Sequence, residues 1–378
     1  MKKVPMVCLK VFVFILFFLI SSCTKNGNEI IIGFAGSLSG KDYKLGVEGL
    51  NTIQLLVNET NKNGGINGKK IKLIIEDFKS DINNVVSSDK KLLDAGSIAI
   101  IGHFTSAASV GAIDFVNTNK IVLISPTSST EELSHKDDYF FRIVMTSKYD
   151  PVYLSIHMKE NSIKNIMLIK AKINESYTKT YSDVLYKEFN IVKDISYDKI
   201  DDIDLNEISM IKNKFDATVI LSSAIDSGTI AQRLHIKNID NPLYLSGWAA
   251  GDDLITYGGD SVENAILIHQ VNDKLESLKD FIKKYKETYG ESPSFSAIQT
   301  VHAFHLLVET IKKGGTKRKS FYESIKKIRS FNSISGIIKL DNYGDAIRTL
   351  YLKKIENGSF KVLKTIEVDE IEKLISED

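Results

Sequence analysis

Cysteine is scarce: the 378-residue chain has only Cys8 and Cys23. A small domain stapled by disulfides is therefore excluded. Proline is also sparse, at five residues, and 43% of the chain is hydrophobic. Those values exclude disordered and collagen-like polymers. No charge predominates, with 49 Lys+Arg against 48 Asp+Glu. That balance gives no support to a nucleic-acid partner, whose phosphates favour basic surface. Beyond the N-terminus no apolar run approaches the ~20 residues of a bilayer-spanning helix, which excludes a polytopic membrane protein. What the chain does have is length, enough for about two domains that each bury a core.

The first residues read as an address. Lys2 and Lys3 precede Val11–Ile20 (VFVFILFFLI), an unbroken apolar run that fits the h-region of a secretory signal. Ile20-Ser21-Ser22-Cys23 then resembles the lipobox of bacterial lipoproteins. That resemblance implies a signal peptide over 1–22, lipidation of Cys23 and a polar tether over 23–28. Cleavage removes three lysines, no acid and Cys8, so the mature chain is slightly acidic and has no internal disulfide.

From Glu29 onward, short apolar runs alternate with amphipathic stretches. Strands are expected at Glu29–Ala35, Lys70–Asp77, Ile98–Gly102 and Ile121–Ser125, with helices at Gly46–Asn63, Ile82–Ala95 and Ser106–Asn119 between them. The pattern restarts after Thr146–Pro151 (TSKYDP), with strands from Asn165, Ala217, Leu243 and Ala265 and helices Tyr177–Phe189 and Gly228–Lys237. Three helical stretches lie between Leu275 and Arg329, and strands joined by turns run from Gly336 to Glu367. This order calls for an α/β protein of two lobes, each with a parallel sheet covered by helices.

Motifs for catalysis fail on inspection. Gly36-Ser-Leu-Ser-Gly40-Lys41-Asp42 has three residues between its glycines where a phosphate loop needs four, and no Ser/Thr after Lys41. The glycines at 33, 36 and 40 also lack dinucleotide-binding spacing. His302 and His305 share a helix face without an evident third metal ligand. Neither enzyme activity, nor a cofactor, nor a metal is expected.

A different set of residues is more specific. Gly64–Asp81 (GGINGKKIKLIIEDFKSD), Ser37-Leu38-Ser39-Gly40 upstream and Ile100-Ile101-Gly102-His103 downstream are similar to the leucine/isoleucine/valine-binding protein family. So are Ser125–Ser129 after a strand, Tyr177-Thr178 after another, and the Asp341–Asp345 turn. These are type I periplasmic binding proteins that serve ATP-driven importers. The resemblance implies two Rossmann-like lobes joined by a three-segment hinge. Lobe 1 would comprise 29–147 and 272–345, and lobe 2 would comprise 148–271 and 346–378. It further implies a monomer, lipid-anchored outside the cytoplasm, that closes on a small amino-acid-like ligand and presents it to an ABC permease with its ATPase. A receptor that reports ligand to a separate signalling partner uses the same fold and remains the alternative.

By the same resemblance, the ligand carboxylate would meet Phe104-Thr105-Ser106, at the start of a helix whose free N–H groups favour an anion. Ser106 matches the family's carboxylate-binding serine; read by itself, it is a helix cap. In Thr127-Ser128-Ser129, the Thr127 carbonyl and the Ser129 hydroxyl would accept from the ligand ammonium. Ser129-Thr130-Glu131-Glu132 also reads as a capping box with Ser129 as cap. Tyr177 would close over the ligand from lobe 2. Two positions depart from the family: Ser223 stands where an aromatic is frequent, and Trp248 stands near the glutamate that pairs with the ammonium. A buried ammonium needs an anion. Either Asp226, Asp252 or Asp253 supplies it, or the ligand has no free ammonium. Leu45, with Tyr43 nearby, takes an aromatic position at the mouth.

Overall fold

The computed structural model describes residues 29–40, 43–272 and 274–377. The signal, the tether, Cys23, and Lys41 and Asp42 lie outside the described residues. The first sheet holds β1 (Glu29–Gly36), β2 (Lys70–Asp77), β3 (Ala99–Ile101), β4 (Val122–Ser125) and β5 (Phe140–Arg142), all parallel, in the order β2-β1-β3-β4-β5. Its crossovers are α1 (Tyr43–Lys62), α2 (Ile82–Asp94) and α3 (Ser106–Asn119). Side chains of these strands alternate between faces. Ile101, Val122 and Ile124 therefore pack with Ile53 and Val57 of α1. Ile100 and Leu123 pack on the other face with Val85 and Leu92 of α2 and Val116 of α3.

The second unit begins with α4 (Tyr149–Glu160) and continues through β6 (Asn165–Ala171), α5 (Glu175–Glu188), β7 (Asn190–Tyr197), α6 (Leu205–Ile211), β8 (Ala217–Leu221), α7 (Ala224–Ile236), β9 (Leu243–Leu245), α8 (Asp252–Gly258) and β10 (Ile266–His269). The chain then returns to the first unit as α9 (Lys279–Tyr289), α10 (Phe295–Lys312) and α11 (Arg318–Ile325). Phe304, Leu307 and Ile311 of α10 share a core with Ile30, Ile32 and Phe34 of β1. A three-stranded antiparallel sheet follows, of β11 (Ser330–Ser333), β12 (Gly336–Leu340) and β13 (Ala346–Ile347). Finally β14 (Leu350–Glu356) and β15 (Ser359–Ile366) extend the second sheet antiparallel, in the order β15-β14-β10-β9-β8-β6-β7, and α12 (Val368–Glu377) ends the described chain. The chain crosses between units three times, after β5, after β10 and after β13.

Several elements go beyond the sequence reading. TSKYDP does not stay a bare crossing, because α4 starts at Tyr149 and Pro151 sits in its first turn. There a missing N–H costs nothing. β7 is an edge strand whose side chains are largely half-exposed or exposed, which blurs its alternation.

Candidate functional site

The carboxyl ends of β3 and β4 face the second unit, the usual ligand position in an open α/β sheet. The β3–α3 turn carries Phe104 and Thr105. Phe104 is buried against Phe34, with centroids 5.5 Å apart. Gly49 of α1 makes room for it, since a Cβ there would lie 2.2 Å from the Phe104 ring. The α3 cap is Thr105, whose hydroxyl accepts from Ala108 N. That corrects the cap reading of Ser106.

Ser106 has another task. Its buried Oγ accepts from Ser129 N at 3.1 Å and Thr130 N at 3.2 Å. A hydroxyl accepts twice and donates once, so only its hydrogen remains for another partner. Ser106 thus braces the β4 turn against the start of α3. Thr127 adds a second brace, its hydroxyl donating to Phe104 O at 2.6 Å. The Ser128 hydroxyl points below the turn, to Thr105 O at 2.9 Å and Ser109 Oγ at 2.6 Å. The capping box expected at Ser129 is instead a cap by Thr130, which accepts from Glu132 N.

The second unit contributes Tyr177 at the start of α5 and Trp248 in the turn after β9. Both are buried, and their rings meet edge to face at 5.8 Å and 78°. Asp150, in the first turn of α4, completes this side. Gly247 lets the wall come close, because a Cβ there would sit 2.9 Å from Ile268 O and 3.7 Å from Asp150 Oδ2.

These groups enclose an inner cavity of about 60 Å³ between the units. Phe104, Thr127 and Ser129 line it from the first, Asp150, Asn174, Tyr177 and Trp248 from the second, and Phe295 and Gln299 of α10 complete it. Ser106, Thr105 and Ser128 stand behind that lining. An outer chamber of about 150 Å³ lies beyond Leu45, Trp248, His269 and Phe295, which line both spaces. Ser223 belongs to the outer chamber and caps α7, accepting from Asp226 N at 3.3 Å. Tyr43, Asp252 and Asp253 also face the outer chamber, where Asp253 pairs with Lys44 of α1.

The inner cavity has one acidic side chain among the described residues, and the sequence reading missed it. Asp150 is 5% exposed, and its Oδ1 has no hydrogen-bond partner among the described residues. Burial pushes its carboxyl up to about 7. Burial, then the Asp150 charge, raises the Tyr177 phenol. Asp226 is held by the Tyr197 hydroxyl at 2.9 Å and lines neither space. The signal for Asp150 was an acid at the first turn of a helix that directly follows a crossing. Among the described residues no group of three or more His, Cys, Asp or Glu is placed to hold a metal. His302 and His305 both bond Ser333 Oγ, at 2.6 and 2.8 Å.

Residues 29–359 match a family model described as periplasmic binding protein. The chain is 23% identical over 357 residues to Leu/Ile/Val-binding protein homolog 2 of Brucella abortus (strain 2308), covering 88% of this chain and 92% of that one. Among solved structures, it is similar to LivJ from Streptococcus pneumoniae, a branched-chain amino acid transporter substrate-binding protein in complex with isoleucine. The TM-score is 0.82 at 23% identity, with 90% and 99% of the two chains covered. It is also similar to an ABC transporter solute-binding protein of R. palustris in complex with benzoate, with a TM-score of 0.79, 19% identity and 89% and 96% coverage.

Proposed function

The chain belongs to the periplasmic binding protein family, and from that premise we propose that it captures a small amino-acid-like zwitterion between its lobes and delivers it to an ABC permease. The family is one of solute-binding proteins, not enzymes. The observation that carries the ligand class is Asp150, a buried carboxylate whose Oδ1 has no hydrogen-bond partner among the described residues and which lines the same cavity as Thr127 and Ser129. An acid beside hydroxyl groups that can accept or donate matches an ammonium and a carboxylate on one small molecule. Asp150 then supplies the charge that Trp248 displaces. Trp248 and Tyr177 make the apolar wall, and branched-chain amino acids are the first candidates.

In this reading the lobes, 29–147 with 272–345 and 148–271 with 346–378, close on the ligand about the three crossings. The Cys23 anchor holds the protein outside the cytoplasm. Among the described residues, no helix is long and apolar enough to cross a membrane.

The test is a thermal-shift screen of the chain from Thr24 onward, followed by calorimetry. Ligand at 100 times its Kd stabilises by about 2.7 kcal/mol, a readily visible shift. Leucine, isoleucine or valine should shift wild type and lose that effect in Asp150→Asn. Hits confined to amides or aryl carboxylates would overturn the zwitterion reading.

A further inference from the structure

Behind the ligand cavity lies a second, partly open pocket of about 50 Å³. Its walls are the second crossing at Gln270–Asn272, the third at Ile347–Thr349, and Ile298 and His302 of α10. This exceeds the roughly 10–15 Å³ that one water needs.

Arg348 is the charged side chain on that wall, 7% exposed. Nη1 donates to Ile143 O at 3.3 Å and Gln299 Oε1 at 2.8 Å. Nη2 reaches Ser335 Oγ at 3.1 Å and His302 Nε2 at 3.5 Å. All four acceptors are neutral, since burial first, then the charges of Arg348 and His305, hold His302 far below the usual imidazole range. Arg142 shows the contrast. It too is buried, but Asp345 Oδ2 pairs with it at 2.6 Å. Buried charge is costly unless an opposite charge accompanies it. Burial lowers the Arg348 pKa to about 10.

We propose that the cavity beside Arg348 is a binding site for a small monovalent anion, such as chloride, placed between the second and third crossings. The anion supplies a counter-charge that no acidic side chain among the described residues provides. Because Arg348 also holds Gln299, a residue that lines the ligand cavity, anion occupancy and solute affinity are linked.

The experiment uses the chain from Thr24, with chloride exchanged for gluconate, too large for the cavity, at constant ionic strength. Chloride should raise the unfolding midpoint saturably by at least about 2 °C. It should also change solute affinity by about threefold or more. Arg348→Gln should abolish both responses. Should that variant not fold, an iodide-soaked crystal of wild type should give an anomalous peak beside the guanidinium. A midpoint and affinity indifferent to the exchange, or no peak in the cavity, overturns the site. So does a chloride response that appears only in Asp273→Asn, because Asp273, next to Asn272 in sequence and outside the described residues, would then be the counter-charge.

Discussion

Asn174 Oδ1 accepts a hydrogen bond from Ala107 N, 3.2 Å away on the opposite side of the cleft. The second unit thereby reaches one of the free N–H groups at the start of α3. Thr130 Oγ1 makes a parallel link to Ser176 O at 3.0 Å. Asn174 also lines the inner cavity, so its bond ties the two walls of that cavity together. A neutral hydrogen bond contributes about 0.5–1.5 kcal/mol. Asn174→Ala should therefore weaken solute binding by roughly 2- to 10-fold, and small-angle scattering should show a more open ligand-free form.

Asp150→Asn should cost more. A hydrogen bond to a charged group is worth about 1.5–3 kcal/mol, so affinity for a zwitterion should fall by roughly 10- to 100-fold. Wild-type affinity should also depend on pH. With the carboxyl at about 7 before binding, protonation competes with the ammonium. Affinity should rise with pH up to about 7 and then level, whereas Asp150→Asn should show no such rise. Calorimetry at several pH values reads both effects.

Ligand-free stability should show the opposite trend. Burial raises the carboxyls of Asp150 and Glu48 to about 7, from ordinary values of 3.8 and 4.5. Between the unfolded and folded pKa, the folded state binds more protons, so stability falls as pH rises. Their contribution is therefore most favourable below about 4 and is lost progressively towards about 7. Asp150→Asn and Glu48→Gln should each flatten the decline of the unfolding midpoint across that window.

The lobes were legible because buried strands and amphipathic helices leave strong periodic signals. Ser106–Asn119 even has the bounds read from the sequence. Part of the cavity lining was legible, including Tyr177 and Trp248 of the second unit. Thr127 and Ser129 follow a strand and line the cavity, Phe104 joins them, and Ser106 braces the turn behind them. Asp150 escaped because α4 opens with a proline-containing turn that read as a crossing. The acids considered instead were Asp226, just after Ser223, and Asp252 and Asp253, just after Trp248. Distance along the chain does not reveal that Asp226 turns to Tyr197 while Asp253 turns to Lys44.

Ser106→Ala separates contact from bracing. Loss of the hydroxyl leaves Ser129 N and Thr130 N without an acceptor, at about 1–3 kcal/mol for each buried group, so the melting temperature should drop. If the Ser106 hydrogen also reaches the ligand carboxylate, calorimetry should show affinity reduced by roughly 10- to 100-fold. A lower melting temperature with unchanged affinity would confine Ser106 to bracing.

Lys44 of α1 and Asp253 of α8 pair across the mouth of the outer chamber. Burial opposes the Lys44 charge, but the bond to Asp253 and neighbouring acids outweigh it and raise its pKa. Both side chains keep substantial solvent contact, 39% and 21%, so the pair belongs with surface bridges worth about 0.2–1 kcal/mol. A bond across the mouth should slow ligand escape more than it changes capture. In a double-mutant cycle of Lys44→Met and Asp253→Asn, each single variant should raise the dissociation rate by up to roughly fivefold, and the double variant should add little. The coupling should fade by 1 M salt, where the screening length is about 3 Å. Stopped-flow dissociation at low and high salt measures it; additive single effects would mean that the pair does not latch the cleft.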